Sequence, residues 1–411
     1  MKSLPLFVTK REMYVTLLVL VVLFFVSLSY EFYKYKQLTT YSLYSSTPTV
    51  LSVSKKEGKN YSILKLKSDD FTFFTTSKKD LHIKRGDEVK AIFYTDNIDF
   101  IGYLRGFYAS SKLLQLQRSS KTNSIINFIY KQHNSDITKE LYGALFFALP
   151  ISKKLRADIA KWGISHLVAI SGFHLGILSA ILFFLLKPIY TFFQNRYFPY
   201  RNRSADLAFM TFMLLGLYVY FLGMGPSVLR AFIMSIICFF LFSKNIKIIS
   251  FSTLFFTISI ILILYPYLVF SIAFWFSVSG VFYIFLFLHH FSHLGKTATF
   301  VLINFWVFIL MLPIVHFVFD TFSFYQFYSP IISMIFVLFY PLSLILHMLG
   351  EGGVMDNFLL RFLNLHIDIY FIVTPTWFFV SYILMSIISI RFKSLSLLLL
   401  VSSLSLVLVL T

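Results

Sequence analysis

The chain has 411 residues, of which 58% are hydrophobic and only 13% charged, and its mean hydropathy is +0.77. Soluble globular domains carry about 25% charged residues, so this composition excludes a water-soluble fold and leaves the membrane. A formal charge of +18, from 36 Lys+Arg against 18 Asp+Glu, favours an anionic partner, either a polyanion or acidic lipid headgroups. The one cysteine, Cys238, excludes an intrachain disulfide and reads as a buried, inert thiol.

A helix needs about 20 apolar residues to cross the hydrocarbon core. Such stretches are predicted at 13–30, 165–186, 207–223, 227–243, 247–264, 267–288, 298–319, 328–349, 367–390 and 393–410. The fold class is therefore an α-helical polytopic membrane protein with about ten transmembrane helices. Lys2, Lys10 and Arg11 precede the first span, and Ser27 and Ser29 offer cleavage-like spacing. Its apolar length of about 18 residues exceeds a signal-peptide core, so residues 1–30 are read as an uncleaved anchor.

Residues 48–110 read as a small extracytoplasmic all-β domain. Short runs at Val50–Ser54, Tyr61–Lys67, Phe71–Thr76, Val89–Tyr94 and Phe100–Tyr108 alternate or are rich in aromatics, with polar turns between them. Five short strands in this space suit an OB-type barrel. Such barrels bind single strands with a basic groove and stacking aromatics. The candidates for that role are Lys65, Lys67, Lys78, Lys79, Lys84, Arg85, Phe73 and Tyr94. Aromatics at strand spacing also build cores, and scattered lysines also solvate faces.

Residues 111–164 form a connector. Its apolar run Leu141–Leu149, closed by Pro150, is too short to cross and suits a re-entrant or interfacial helix whose broken backbone needs protein or water as cover. Residues 165–411 read as a membrane domain, and it opens on the sharpest pattern in the chain. From Gly163 to Gly176 the sequence places His166, Ser171, Gly172, His174 and Gly176 at the start of a span, where polar groups are costly and face a cavity or a partner. Ser171 and His174 share a helix face, and His166 lies about 80° away from His174. The small residues would allow close helix approach.

Arg230, about three residues into its span, is expected to turn toward protein or water, where it could bind phosphate or snorkel to an interface. His289, His290 and His293 cluster at one span end; a metal site needs further ligands, so they read as interfacial. Short loops place Lys187, Arg196, Arg201, Arg203, Lys244, Lys247, Lys296 and Arg361 on one side, against Arg391 and Lys393 on the other. That bias puts the N-terminus in the cytoplasm and the β domain outside, although Lys153, Lys154, Arg156 and Lys161 sit close to the second span.

The stretch His166-Leu-Val-Ala-Ile-Ser-Gly-Phe-His-Leu-Gly176 resembles the signature of the ComEC family, inner-membrane DNA-uptake channels of naturally competent bacteria. Leu229–Met234, around Arg230, is similar to the family's Arg-Ala stretch. Phe274–Gly280, with Ser277, is similar to its aromatic-Leu-Ser segment, with Phe276 where Leu is usual. The resemblance covers about residues 48–345. Ser329-Pro330 stands where the family often has an asparagine ahead of an apolar-Pro run, which puts that asparagine's role in doubt here.

The resemblance implies a channel that translocates single-stranded DNA across the inner membrane during natural transformation. The implied partners are single-stranded DNA, the lipid bilayer, a periplasmic DNA receptor and a cytoplasmic motor or single-strand-binding protein. No cofactor, metal or enzymatic activity is expected. The chain resembles the short form without the metallo-β-lactamase-like domain of longer members, which leaves strand degradation to a separate nuclease. The alternative is a small-solute or lipid transporter, or a membrane enzyme, using His166, Ser171, His174 and Arg230 as a buried polar cluster.

Overall fold

A computed structural model describes residues 4–55, 61–68, 71–78, 83, 87–118, 124–222 and 226–410. In chain order the elements are α1 (Lys10–Leu38), β1 (Leu43–Ser46), β2 (Thr49–Lys55), β3 (Tyr61–Lys67), β4 (Thr72–Lys78), β5 (Glu88–Tyr94), α2 (Phe100–Arg105), β6 (Phe107–Tyr108) and β7 (Ser111–Arg118). Short helices α3 (Ser124–Tyr130), α4 (Asp136–Phe147), α5 (Lys153–Lys161) and α6 (Ser165–Val168) follow. The long helices are α7 (Gly172–Tyr197), α8 (Arg203–Phe221), α9 (Pro226–Ser243), α10 (Phe251–Leu264), α11 (Ile272–His290) and α12 (Lys296–Val315). The chain ends with β8 (Thr321–Phe322), α13 (Ser329–Met348), α14 (Asp356–Leu363), β9 (Tyr370–Phe371), α15 (Thr376–Ile388) and α16 (Lys393–Leu410).

The protein is mostly helical, with a small N-terminal β half-barrel. Among the described residues six helical segments are long and apolar enough to cross a membrane: Lys10–Leu38, Gly172–Tyr197, Arg203–Phe221, Ile272–His290, Lys296–Val315 and Phe324–Met348. Four further apolar helices, within α9, α10, α15 and α16, are shorter. The apolar side chains of these helices stand largely outward, with Phe184, Leu338 and Trp377 each more than 70% exposed. Lipid tails are the solvent that tolerates such faces.

The chain divides into two compact units, one of residues 7–127 with 258–272, the other of residues 1–6, 128–257 and 273–411. In the first unit, Thr9 and Glu12 cap α1 reciprocally, and Leu38 at its far end joins the half-barrel core. Seven strands make the sheet, in the order β1-β5-β2-β3-β4-β6 with β7 also on β5. Alternation decides the faces: Leu64, Leu66, Phe73, Val89 and Phe93 turn inward and are at most 1% exposed. The sheet runs from Leu43 to Arg118, beyond residues 48–110 at both ends.

The fifth expected strand, Phe100–Tyr108, is instead mostly helix. Asp99 caps α2 by accepting from the Gly102 N–H, and Gly106, at φ 89°, ends it in a conformation that glycine tolerates. Only Phe107 and Tyr108 enter the sheet, parallel to β4.

In the second unit, α11, α12, α15 and α16 share a core around Tyr283, Phe287, Trp306, Leu310, Tyr382 and Leu399. The connector packs along α13. Gly163 accepts a bond from Ser329 Oγ at 3.0 Å near one end of that helix, and His133 touches His347 near the other, a rise of about 27 Å along α13. Leu141 to Phe147 of α4 are all buried. The short apolar helix is thus covered by protein, as its free backbone ends require.

Candidate functional site

The signature residues meet α13. After α6 the chain straightens through Ala169–Ser171 and restarts as α7 at Gly172. Ser171 is the N-cap, and the cap is reciprocal: His174 Nδ1 lies 3.2 Å from both the Ser171 backbone N and Oγ. Because Nδ1 accepts the Ser171 N–H, the neutral ring carries its proton on Nε2. His174 is fully buried, edge to face with Tyr340 at 4.7 Å and Phe336 at 5.5 Å between centroids.

His166 meets the same helix one turn earlier. Its Nδ1 lies 3.2 Å from the Gly163 carbonyl, so it donates there, and its Nε2 lies 3.2 Å from Ser333 Oγ. Gly163 itself has φ +67°, and a Cβ there would lie 3.2 Å from Gln326 Cβ. That turn requires glycine. It holds the loop ahead of His166 against the start of α13.

Arg230 lies in α9, only 6% exposed, with its guanidinium 5.7 Å from the centre of the Phe274 ring of α11. A buried guanidinium over an aromatic face is stabilised by the ring quadrupole. Gly172 connects this arginine's neighbourhood to the signature, since a Cβ on Gly172 would meet Ala231 Cβ at 3.7 Å. The structure therefore gathers His166, Ser171, His174 and Gly172 beside α13 and α9. Ser277 is exposed, one turn beyond Phe274. Gly176 meets nothing within 4 Å, so the expected close helix approach does not occur there.

On the half-barrel the predicted residues separate. Phe73 is fully buried core and cannot stack on a base. Tyr94 is 59% exposed, and Lys65 and Lys67 lie on the outer face of β3. Lys79, Lys84 and Arg85 lie outside the described residues, and Lys78 is described only as the last residue of β4. The register adds what sequence reading missed: Lys65 pairs with Phe74, and Phe74 with Tyr108. Lys65 Nζ sits 5.5 Å over the Phe74 ring, and Tyr108 is 62% exposed. A cation and two aromatics form one row across three strands.

The histidines at the end of α11 make packing contacts. His290 Nε2 lies 2.8 Å from the Ser389 carbonyl and donates to it, while His289 meets the Phe251 ring edge to face. Among the described residues no group of three or more His, Cys, Asp or Glu side chains is placed so that it could hold a metal ion.

A mostly helical chain with several apolar helices, a buried histidine at the start of α7, a buried arginine and a small β half-barrel is of the polytopic membrane class. Residues 149–411 match the family model described as Competence protein, and the chain is a member of this ComEC-type competence family. Searches of curated proteins and of solved structures return no match.

Proposed function

We propose that this chain forms the conduit through which single-stranded DNA crosses the cytoplasmic membrane during natural transformation. The observation that carries this reading is the Lys65–Phe74–Tyr108 row in a chain whose helical unit belongs to the competence family. Single-strand binders combine a cation for the phosphates with aromatic faces for the bases, because every base has a π-face and every linkage a charge. The half-barrel is read as an OB-type domain on the periplasmic side that receives the strand. In this reading all ten apolar helices cross the inner membrane, with the N-terminus in the cytoplasm.

The path passes the polar groups at the start of α7 and α9. His166, Ser171 and His174 stand at α6 and the start of α7 and Arg230 on α9, and the charge of the arginine favours a polyanionic strand. The chain acts as a conduit rather than an enzyme. It works with a periplasmic DNA receptor, a cytoplasmic motor or single-strand-binding protein, and a nuclease.

The test is deletion of this gene in its competent host, with fluorescent DNA as the tracer. Growth should be normal, transformation lost, and labelled DNA held outside the inner membrane. Normal transformation in the deletion strain would overturn the proposal.

A further inference from the structure

The turn between α3 and α4, the end of α13 and the start of α14 meet in a buried chain of hydrogen bonds. His133 Nδ1 lies 2.9 Å and 3.1 Å from the two carboxyl oxygens of Asp356. His133 Nε2 lies 2.9 Å from His347 Nε2, and His347 Nδ1 lies 2.6 Å from the Ser343 carbonyl oxygen. Both histidines are 3% exposed. Thr138 donates to Asp356 Oδ2 at 3.2 Å. The Tyr142 ring stacks on His133 at 4.7 Å and lies 4.4 Å from His347. Alongside, Gln132 donates to the His347 carbonyl at 3.1 Å and accepts the Gly352 N–H at 2.8 Å.

Proton bookkeeping follows from what each end of this chain can do. A carbonyl oxygen only accepts, so His347 Nδ1 carries a hydrogen. An ionised carboxylate only accepts, so His133 Nδ1 carries another. The contact between the two Nε2 atoms needs a third. Two neutral imidazoles hold two hydrogens; this arrangement holds three. Placing the third on Asp356 instead, as a carboxylic acid donating to His133, leaves the total unchanged.

We infer that His133, His347 and Asp356 form a binding site for a single proton, and that its occupancy clasps the connector to α13 and α14. With the proton bound, the positive charge rests on His133 beside Asp356, the group is neutral overall and all three contacts are satisfied. Release of the proton to water leaves two hydrogens for three contacts. Either the two Nε2 lone pairs then face each other at 2.9 Å, or the Nδ1 lone pair of His347 faces a carbonyl at 2.6 Å. Asp356 also loses its counter-charge in a buried setting.

The groups packed around the site are Gln132 from the α3–α4 turn, Thr138 and Tyr142 from α4, Ser343 from α13 and Gly352 ahead of α14. Of these only Tyr142 titrates. Burial, reinforced by the Asp356 charge, holds its phenol above the ordinary range, so it stays protonated and does not supply the exchange. The clasp is therefore closed in acid and opens as pH rises. It acts on the helix that faces His166 and His174, since α4 packs Phe146 against both His347 and Tyr340 of α13.

The experiment uses the full chain in nanodiscs with ¹⁵N-labelled histidine. At about pH 6, where an ordinary imidazole is mostly charged, the wild type should show one coupled pair with three protonated ring nitrogens. This signal should be absent in His133→Gln and His347→Gln. Raising the pH to about 9 should lower the melting temperature of wild type more than that of Asp356→Asn, which keeps the shape of the carboxyl but removes its charge. An equal pH response in Asp356→Asn, or two neutral imidazoles beside an ionised Asp356 carboxylate in wild type at the lower pH, would overturn the inference. So would a rise in melting temperature with added Zn²⁺ that a chelator reverses, which would make the pair a metal site. If Asp356→Asn does not fold, the wild-type nitrogen spectrum decides.

Discussion

His174 of α7 and Tyr340 of α13 meet edge to face, with ring centroids 4.7 Å apart and planes at 87°, and both side chains are fully buried. The signature of this family is thus set against a helix that begins 155 residues further along the chain, counting from His174 to Ser329. Two consequences follow for function. The ring position of His174 is fixed by its reciprocal cap with Ser171 and by aromatic packing, and α13 closes directly onto the start of α7 at this depth.

His174→Ala and Arg230→Ala are each expected to abolish DNA entry into the cytoplasm while DNA still accumulates outside the inner membrane. Loss of the His174 cap costs about 1 kcal/mol of helix stability, too little to unfold the protein. Transformation frequency should be read alongside membrane abundance. Normal transformation at normal abundance removes both residues from the path, and disappearance of the protein assigns them to packing.

The row on the half-barrel gives a contrast within one strand. Tyr108→Ala and Phe74→Ala should weaken binding of single-stranded DNA by about 1–3 kcal/mol each, the usual worth of one stacked base. Phe73→Ala, one residue away and buried, should cost about 3–5 kcal/mol of folding stability instead. Lys65→Ala should flatten the salt dependence of binding. Filter binding at two salt concentrations, with circular dichroism of each variant, distinguishes these outcomes; equal loss in the Phe73 and Phe74 variants would refute the assignment of faces.

Gly163→Ala should destabilise the protein by about 1–2 kcal/mol from the left-handed backbone alone, with more from the Cβ placed 3.2 Å from Gln326. Gly176→Ala, where nothing lies within 4 Å, should be close to neutral or slightly stabilising, since alanine is the better helix former. Melting temperatures in detergent provide the comparison, and a tolerated Gly163→Ala would show that the turn before His166 does not hold the signature in place.

Orientation is tested by reporter fusions. A fusion after Lys121 should report from the periplasm and one after Asn202 from the cytoplasm, if orientation follows the bias of Lys and Arg in the short loops. A reversed pair would reverse the direction of DNA entry in the proposed function.

Much of this was written locally. The long apolar runs fix α1, α7, α8, α11, α12 and α13 because lipid demands length and apolarity, both readable residue by residue. The strands β2 to β5 follow from alternation, and the helix starts at Asp99 and Ser171 from their side-chain caps. Phe100–Arg105 misled because aromatic content argued for strand while the Asp99 cap, a single side chain, decided for helix.

What the sequence by itself determined is the solvent, the family and the long apolar helices, since each rests on composition or on neighbours within a turn or two. Tertiary structure alone decided which of Phe73 and Phe74 faces the core, because a shift of one residue in strand register exchanges the two faces. It alone chose α13 as the partner of His166 and His174. It also joined His133 to His347 across 214 residues. A buried proton site depends on which donors and acceptors face each other at hydrogen-bond distance, and that pairing arises only when distant segments pack.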